Sequence, residues 1–258
     1  MTAPRSSPHR PVPSVTPPHA ANALVVFAKA PVPGQVKTRL CPPLTPDEAA
    51  TLHGSFVLDQ LERTKAAIAK FKLSVDRYVA CSPSATHEFF KILSARHGVG
   101  LLDQMGEDIG TRMHQVFIDL FSRGYKRIVL VGTDVPNLPL SHYRQAFELL
   151  QQQDAVFGPA QDGGYYLLGL RKPAPELFRD IPWSTNQVLA LTEQRAAEAG
   201  VTHARVPVWR DVDTLDDLKA LIDDASADRK RPKGEQLFSS RTAGALDLTG
   251  KRLRDRQT

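Results

Sequence analysis

Only two cysteines, Cys41 and Cys81, occur in 258 residues, too few for a disulfide framework and without zinc-ligand spacing. They are expected to be reduced thiols in a cytoplasmic protein. Long apolar runs are missing as well: Ile128-Val-Leu-Val131 falls far short of the roughly 20 residues that a spanning helix needs, so no membrane span is expected. Glycine-rich phosphate loops are absent. The loop at Gly34 holds one glycine, separated by two residues from Lys37, which fails the P-loop spacing, and no Gly-x-Gly-x-x-Gly follows any strand. There is no Gly-x-Ser-x-Gly elbow and no Cys/His pairing, and the eight histidines show no ligand spacing, which removes the usual signs of nucleophilic or zinc chemistry. Acids are missing from residues 1–22, which hold six prolines and no apolar run; neither a secretory signal nor an amphipathic transit helix fits, and an unstructured leader is expected.

A formal charge of +5 invites a nucleic-acid reading, but the charge is not where such a partner would need it. Residues 1–22 carry two arginines and no acid, and residues 224–258 carry nine Lys or Arg against five Asp or Glu. The central 23–223 therefore holds 22 basic and 23 acidic residues and is nearly neutral. With no aromatic-studded basic stripe there, no nucleic-acid partner is expected, and 224–258 reads as a disordered basic tail.

What is present between the tails is an alternation of extended apolar runs and helix-like segments, the pattern of a mostly parallel sheet covered on both faces. Strands are expected near 24–30, 73–81, 100–102, 127–134, 155–158, 163–169 and 201–206. Helices are expected from Thr45 through Ile68, and near 85–97, 108–122, 141–153, 184–199 and beyond 211. Thr45-Pro46-Asp47-Glu48 is a strong start signal, with a capping threonine, a proline suited to the first turn and acids at the positive helix end. Too few residues precede 163–169 for a crossover helix, so that strand admits an antiparallel pairing. Residues 23–223 thus read as one α/β domain.

Ligands of open α/β sheets gather beyond the carboxyl ends of the strands. The loop after the first strand carries Lys29, Gly34, Lys37, Thr38 and Arg39, whose side-chain cations are expected to supply the charge that backbone amides supply in glycine-rich phosphate loops. Arg112 adds a cation at a helix start. Asp134 closes the central strand, where a hard oxygen ligand suits Mg²⁺ or Mn²⁺ bridging a diphosphate. In Asp211-Val-Asp213-Thr214 the threonine can cap the last helix while Asp213 is not needed for that cap; which of Asp211 and Asp213 turns inward rests with backbone geometry. Asp162-Gly163-Gly164-Tyr165 joins an acid to two residues lacking Cβ, permitting close approach of the backbone to a ligand. Trp183 is a candidate pocket wall, and Ser184 or Thr185 a cap for the helix that follows.

Six ordered segments carry a family resemblance: Ala28-Lys-Ala-Pro-Val-Pro-Gly-x-x-Lys-Thr-Arg-Leu40, Gly106-Glu-Asp-Ile-Gly-Thr-Arg-Met113, Gly132-Thr-Asp134, Gly158-Pro-Ala-x-Asp-Gly-Gly-Tyr-Tyr166, Trp183-Ser-Thr185 and Asp211-Val-Asp-Thr214. Together they resemble the radical-SAM/selenodomain-associated transferase family, placed among GT-A-type glycosyltransferases, over about residues 23–222. The resemblance implies the nucleotide-diphospho-sugar transferase fold, a three-layer α/β/α sandwich with a mostly parallel mixed sheet, and a nucleotide lying over the sheet's carboxyl edge. It implies phosphate contacts from Lys37 and Arg39 and a metal held by Asp134 and Asp213. Asn137 stands where the family more often has aspartate and supplies no charge. The loop through Lys37-Thr-Arg-Leu40 and the helix start after it also resemble phospholactate guanylyltransferases.

The expected activity is therefore metal-dependent glycosyl transfer from a nucleotide-diphospho-sugar to a small-molecule acceptor, with Asp162 as base and Lys37 acting on the leaving diphosphate. Nucleotidyl transfer from a nucleoside triphosphate is the alternative, and a nucleotide-binding module without chemistry the third. The substrate pocket is expected to include Gly163, Gly164, Tyr165 and Trp183.

Overall fold

Alternation along the first strand sets the layers. In β1 (Asn22–Lys29), Leu24, Val26 and Ala28 point to one side and Ala23 and Val25 to the other, and all five are buried, so both faces of the sheet must be covered. The computed structural model describes residues 19–255 apart from 233; residues 1–18 of the expected leader lie outside the described residues.

Six further strands join β1: β2 (Val75–Ser82), β3 (Gly100–Asp103), β4 (Arg127–Gly132), β5 (Ala155–Pro159), β6 (Tyr165–Leu170) and β7 (His203–Arg205), in the order β3-β2-β1-β4-β6-β5-β7. β6 alone runs antiparallel to its neighbours β4 and β5, the pairing that the short connection before it admits. One face is covered by α1 (Pro46–Phe71), α2 (Glu88–His97) and α4 (Leu140–Leu149), the other by α3 (Ile109–Ser122) and α5 (Val188–Glu198). The result is the expected three-layer sandwich with a mostly parallel mixed sheet. Thr45 caps α1 as its sequence indicates: its hydroxyl accepts the Glu48 N–H at 3.2 Å, and Glu48 Oε2 accepts the Thr45 N–H at 2.8 Å. No helix among the described residues is long and apolar enough to cross a membrane.

The disordered basic tail expected at 224–258 is corrected by the structure over the described residues, which end at 255 and leave out 233. Helix α6 (Leu215–Asp228) runs into it, and α7 (Ser240–Asp255) returns across α1 and α6. Leu246 and Leu253, seven residues apart and so on one helix face, join Phe238 in a third core with Leu52 and Phe56 of α1 and Leu218 and Leu221 of α6. The cations that suggested a solvated tail meet acids on the neighbouring helices: Arg241 pairs with Glu62 at 2.8 Å, Arg229 with Asp247 at 2.5 Å, and Arg252 with Glu48. This third core also contains Leu40 and Val212, which flank the cleft described below.

Leu246→Ala is expected to lower stability by about 2–4 kcal/mol in denaturant unfolding, because it opens a cavity in that core, whereas Leu248→Ala, at an exposed position of the same helix, should change it by less than about 0.5 kcal/mol. Equal, small effects at both positions would mean that α7 is not docked.

Candidate functional site

The parallel strands deliver their carboxyl ends to one edge of the sheet, where a cleft of ≈ 670 Å³ opens. Lys37 lies in the loop after β1, with φ 48°, a backbone region seldom adopted by a residue with a side chain. Val36 and Leu40 on either side are buried and pin that backbone. The Lys37 side chain is 4% exposed. Its ammonium donates to Val212 O at 2.6 Å and Asp213 Oδ1 at 2.8 Å, and meets Asp134 Oδ1 at 2.5 Å. Burial alone would push the Lys37 pKa down; the carboxylates of Asp134 and Asp213 more than offset this and hold it above the ordinary lysine value. Burial likewise works to raise the Asp134 carboxyl, but Lys37, with help from His53, holds it below the usual carboxylate range. Backbone ties the same groups, since Val212 N–H donates to Asp134 O at 3.0 Å. Asp134 Oδ1 is enclosed while the side chain as a whole is 42% exposed, so its remaining exposure faces the cleft.

Beside this knot, one carboxylate oxygen from each of Asp162, Asp211 and Asp213 lies within 4.8 Å of the other two. Burial, then the charge of Asp162, with those of Asp213 and Asp134 behind it, pushes the Asp211 carboxyl up to about 6. Three hard oxygen donors that repel one another are the donor set an Mg²⁺ or Mn²⁺ ion takes. Of the two acids expected from the sequence as a metal pair, Asp213 stands with Asp162 and Asp211 and also meets Lys37, and Asp134 meets Lys37. Asp162, expected as a base, is exposed, and its Oδ1 accepts the Gly164 N–H at 2.8 Å.

Opposite charge lines the same cleft. Arg39 is 68% exposed and its Nη1 lies 3.9 Å from Asp213 Oδ2; Lys29 is exposed at the end of β1; Arg112 donates Nε to Gly106 O at 2.8 Å. Thr38 lines the cleft beside them, whereas Gly34 does not and instead supplies the φ of +76° that the loop's turn requires. The room expected beside Gly163 for a ligand is taken by the chain itself: a Cβ there would lie 2.1 Å from Asn186 O. Gly164, Tyr165 and Trp183 line the cleft, and the Trp183 indole lies flat enough on Gly110 that a Cβ at that glycine would sit 2.1 Å from the ring. Ser184 and Thr185 do not cap α5, which begins only at Val188. Ser184 has φ 66°, so the chain cannot be helical there, and Thr185 Oγ1 donates to Pro182 O at 2.8 Å.

Sequence reasoning missed two residues. Gln104 is buried at the end of β3, where its amide donates to Ala28 O at 3.0 Å and Ala80 O at 2.8 Å. Only the NH₂ group can satisfy two carbonyls, so Oε1 is left as an acceptor at the cleft. His53, on α1, is buried with Nε2 3.1 Å from Lys29 O, and burial holds its pKa below the ordinary value. A polar residue after a short strand, or within an amphipathic helix, gives no sequence signal for either role.

A family profile described as "Uncharacterized protein conserved in bacteria (DUF2064)" matches residues 66–185. Among solved structures, a "putative nucleotide-diphospho-sugar transferase" from Desulfovibrio desulfuricans G20 is similar at 32% identity and a TM-score of 0.76, over 92% of this chain and 98% of that one. A CMP:2-keto-3-deoxy-manno-octonic acid synthetase complexed with CTP (12% identity, TM-score 0.50, 78% and 96% of the two chains) shares the fold. So does a cytidylyltransferase from Leptospira borgpetersenii serovar Hardjo-bovis strain JB197 (15% identity, TM-score 0.50, 92% and 96%). No curated protein matches the chain.

The raised Asp211 pKa has a definite consequence for stability. A carboxyl that holds its proton more tightly folded than unfolded makes the fold lose stability as pH rises, here from about 4, the unfolded carboxyl value, to about 6. In metal-free buffer Asp211→Asn is therefore expected to raise Tm above pH 6 and to leave it unchanged below pH ~4. A Tm difference independent of pH would show that Asp211 is not held in a repelling cluster.

Proposed function

The chain belongs to the family of the Desulfovibrio desulfuricans protein, which it matches over nearly that whole chain, and from this premise we propose that it transfers a sugar from a nucleotide-diphospho-sugar to a small-molecule acceptor with the help of a divalent ion. The order of its six motifs supports the radical-SAM/selenodomain-associated group as its branch. Cys41 and Cys81 are both free thiols, in keeping with a cytoplasmic setting.

One observation carries the reading: carboxylates gathered at Asp162, Asp211 and Asp213 share a single cleft with the exposed cations Lys29 and Arg39 and the half-buried Arg112. That pairing suits a diphosphate together with its counter-ion. Mg²⁺ or Mn²⁺, held by the three acids, would offset charge on the leaving diphosphate. Arg39, Lys29 and Arg112 add fixed positive charge on the same leaving group. Asp162, facing solvent, is placed to take the proton from an acceptor hydroxyl. Gln104 Oε1 offers the donor's base a fixed acceptor, and the Trp183 ring walls the side toward α3.

Nucleotidyl transfer from a triphosphate is the second reading. It is favoured by the Lys37-Thr-Arg-Leu40 loop and by the exposure of Arg39, which would then offset charge on released pyrophosphate.

Incubation with Mg²⁺ or Mn²⁺ and panels of nucleotide sugars and nucleoside triphosphates separates the two. Nucleoside diphosphate release is expected, falling by about 100-fold in Asp213→Asn and about tenfold or more in Arg39→Met. Pyrophosphate release that depends on Asp213 would transfer the conclusion to the second reading, and release of neither product would sink both. Gln104→Leu should reduce discrimination between donor bases by about tenfold while leaving affinity for inorganic pyrophosphate unchanged, because it removes one hydrogen bond to the base alone. An unaltered base preference would exclude Gln104 from recognition.

A further inference from the structure

We propose that the Lys37 ammonium is a permanent internal cation of the acid centre: it fills the seat between Asp134 and Asp213 and confines a divalent ion to the side of Asp162, Asp211 and Asp213. The inference deepens the metal-dependent reading above and rests on it.

Three groups of the chain meet the Lys37 ammonium: Val212 O and Asp213 Oδ1 accept its hydrogen bonds at 2.6 and 2.8 Å, and Asp134 Oδ1 pairs with it at 2.5 Å. Two are the carboxylates that the motif pattern assigned to the metal; the third, Val212 O, is a backbone atom that cannot turn away. The lysine backbone is pinned as well, with Val36 and Leu40 buried on either side and Leu40 seated in the third core beside Val212. For Lys37 to leave, Val212 O and Asp213 would lose a hydrogen-bond donor and Asp134 its ion-pair partner at once. Arg39, two residues on, has the opposite character, exposed and with only a long contact to Asp213. Of the loop's two cations after Gly34, one is built into the protein and one is open to a ligand.

The charge count points the same way. Asp134, Asp162, Asp211 and Asp213 bring four negative charges when ionised and Lys37 one positive, a net of −3. One divalent ion brings this to −1, and a second ion between Asp134 and Asp213 would need the seat that the ammonium holds. Asp213 joins the two halves: its Oδ1 is taken by Lys37, and its Oδ2 has Arg39 at 3.9 Å. The structure therefore assigns a centre of one exchangeable ion and one fixed ammonium, with Asp134 a partner of the lysine and not a metal ligand.

Titration with Mn²⁺, read by the electron paramagnetic resonance signal of the free ion, tests this without any turnover. The wild-type chain should bind one Mn²⁺. Asp211→Asn should weaken binding by about tenfold or more, whereas Asp134→Asn should stay within about threefold of wild type. Lys37→Met releases Asp134 and Asp213, so it should bind a second Mn²⁺ or bind the first at least about tenfold more tightly, a gain lost again in the Lys37→Met/Asp134→Asn double variant. Should Lys37→Met fail to fold, the contrast between Asp134→Asn and Asp211→Asn decides alone. If Asp134→Asn weakens Mn²⁺ as much as Asp211→Asn does, the ion lies between Asp134 and Asp213 and the proposal falls, with the metal-dependent reading intact. If the wild-type chain binds no divalent ion, both fall together.

Discussion

One buried ammonium holds three parts of the chain in register. Through Lys37, the loop after β1, the turn after β4 and the segment between β7 and α6 meet at a single point, with Val212 closing the circuit by its hydrogen bond to Asp134. These segments are distant in sequence, and Lys37 and Asp213 stand 176 residues apart. Without the lysine, Asp134 and Asp213 would face each other in a partly desolvated place, where unpaired like charges are strongly unfavourable. Without the carboxylates, the lysine would be a buried cation with only a carbonyl for company. Each makes the other's position tenable.

That knot sits in a cleft that carries both signs of charge. The acids Asp162, Asp211 and Asp213 line it together with the exposed Lys29 and Arg39 and the half-buried Arg112. A nucleotide diphosphate with its ion needs both signs close together, and the sheet's carboxyl edge supplies them from different strands. Support from below is apolar: Leu40, under the cation loop, and Val212, between Asp211 and Asp213, belong to the core that α6 and α7 complete. Helix α7 thus bears on the site although none of its described side chains lines the cleft.

Much of this was legible in the chain. The run Ile128–Val131 reads as a strand buried on both faces and is one; Thr45 and Thr214 read as caps and form capping boxes with Glu48 and Asp217. These features are local, since the atoms that decide them lie within four residues of each other. Most of the errors have the opposite cause. Arginines 229, 241 and 252 read as solvated because their acidic partners lie on other helices, and the leucines of α7 gained meaning only from the groove between α1 and α6. Gly163 signalled a close approach correctly, but the approaching group is Asn186 of the same chain.

The sequence by itself determined the order of strands and helices as far as α6, admitted the antiparallel β6 and named candidates for the site: a cationic loop, strand-end aspartates, an Asp-Gly-Gly turn and a tryptophan. It could do so because hydrophobic period, caps and turn residues act over a few positions. Only the tertiary structure decided the pairing within that inventory, placing Lys37 on Asp134 and Asp213 and gathering Asp162, Asp211 and Asp213 as a group. Charges interact through space and burial, and sequence separation says nothing about either until the strands are laid side by side.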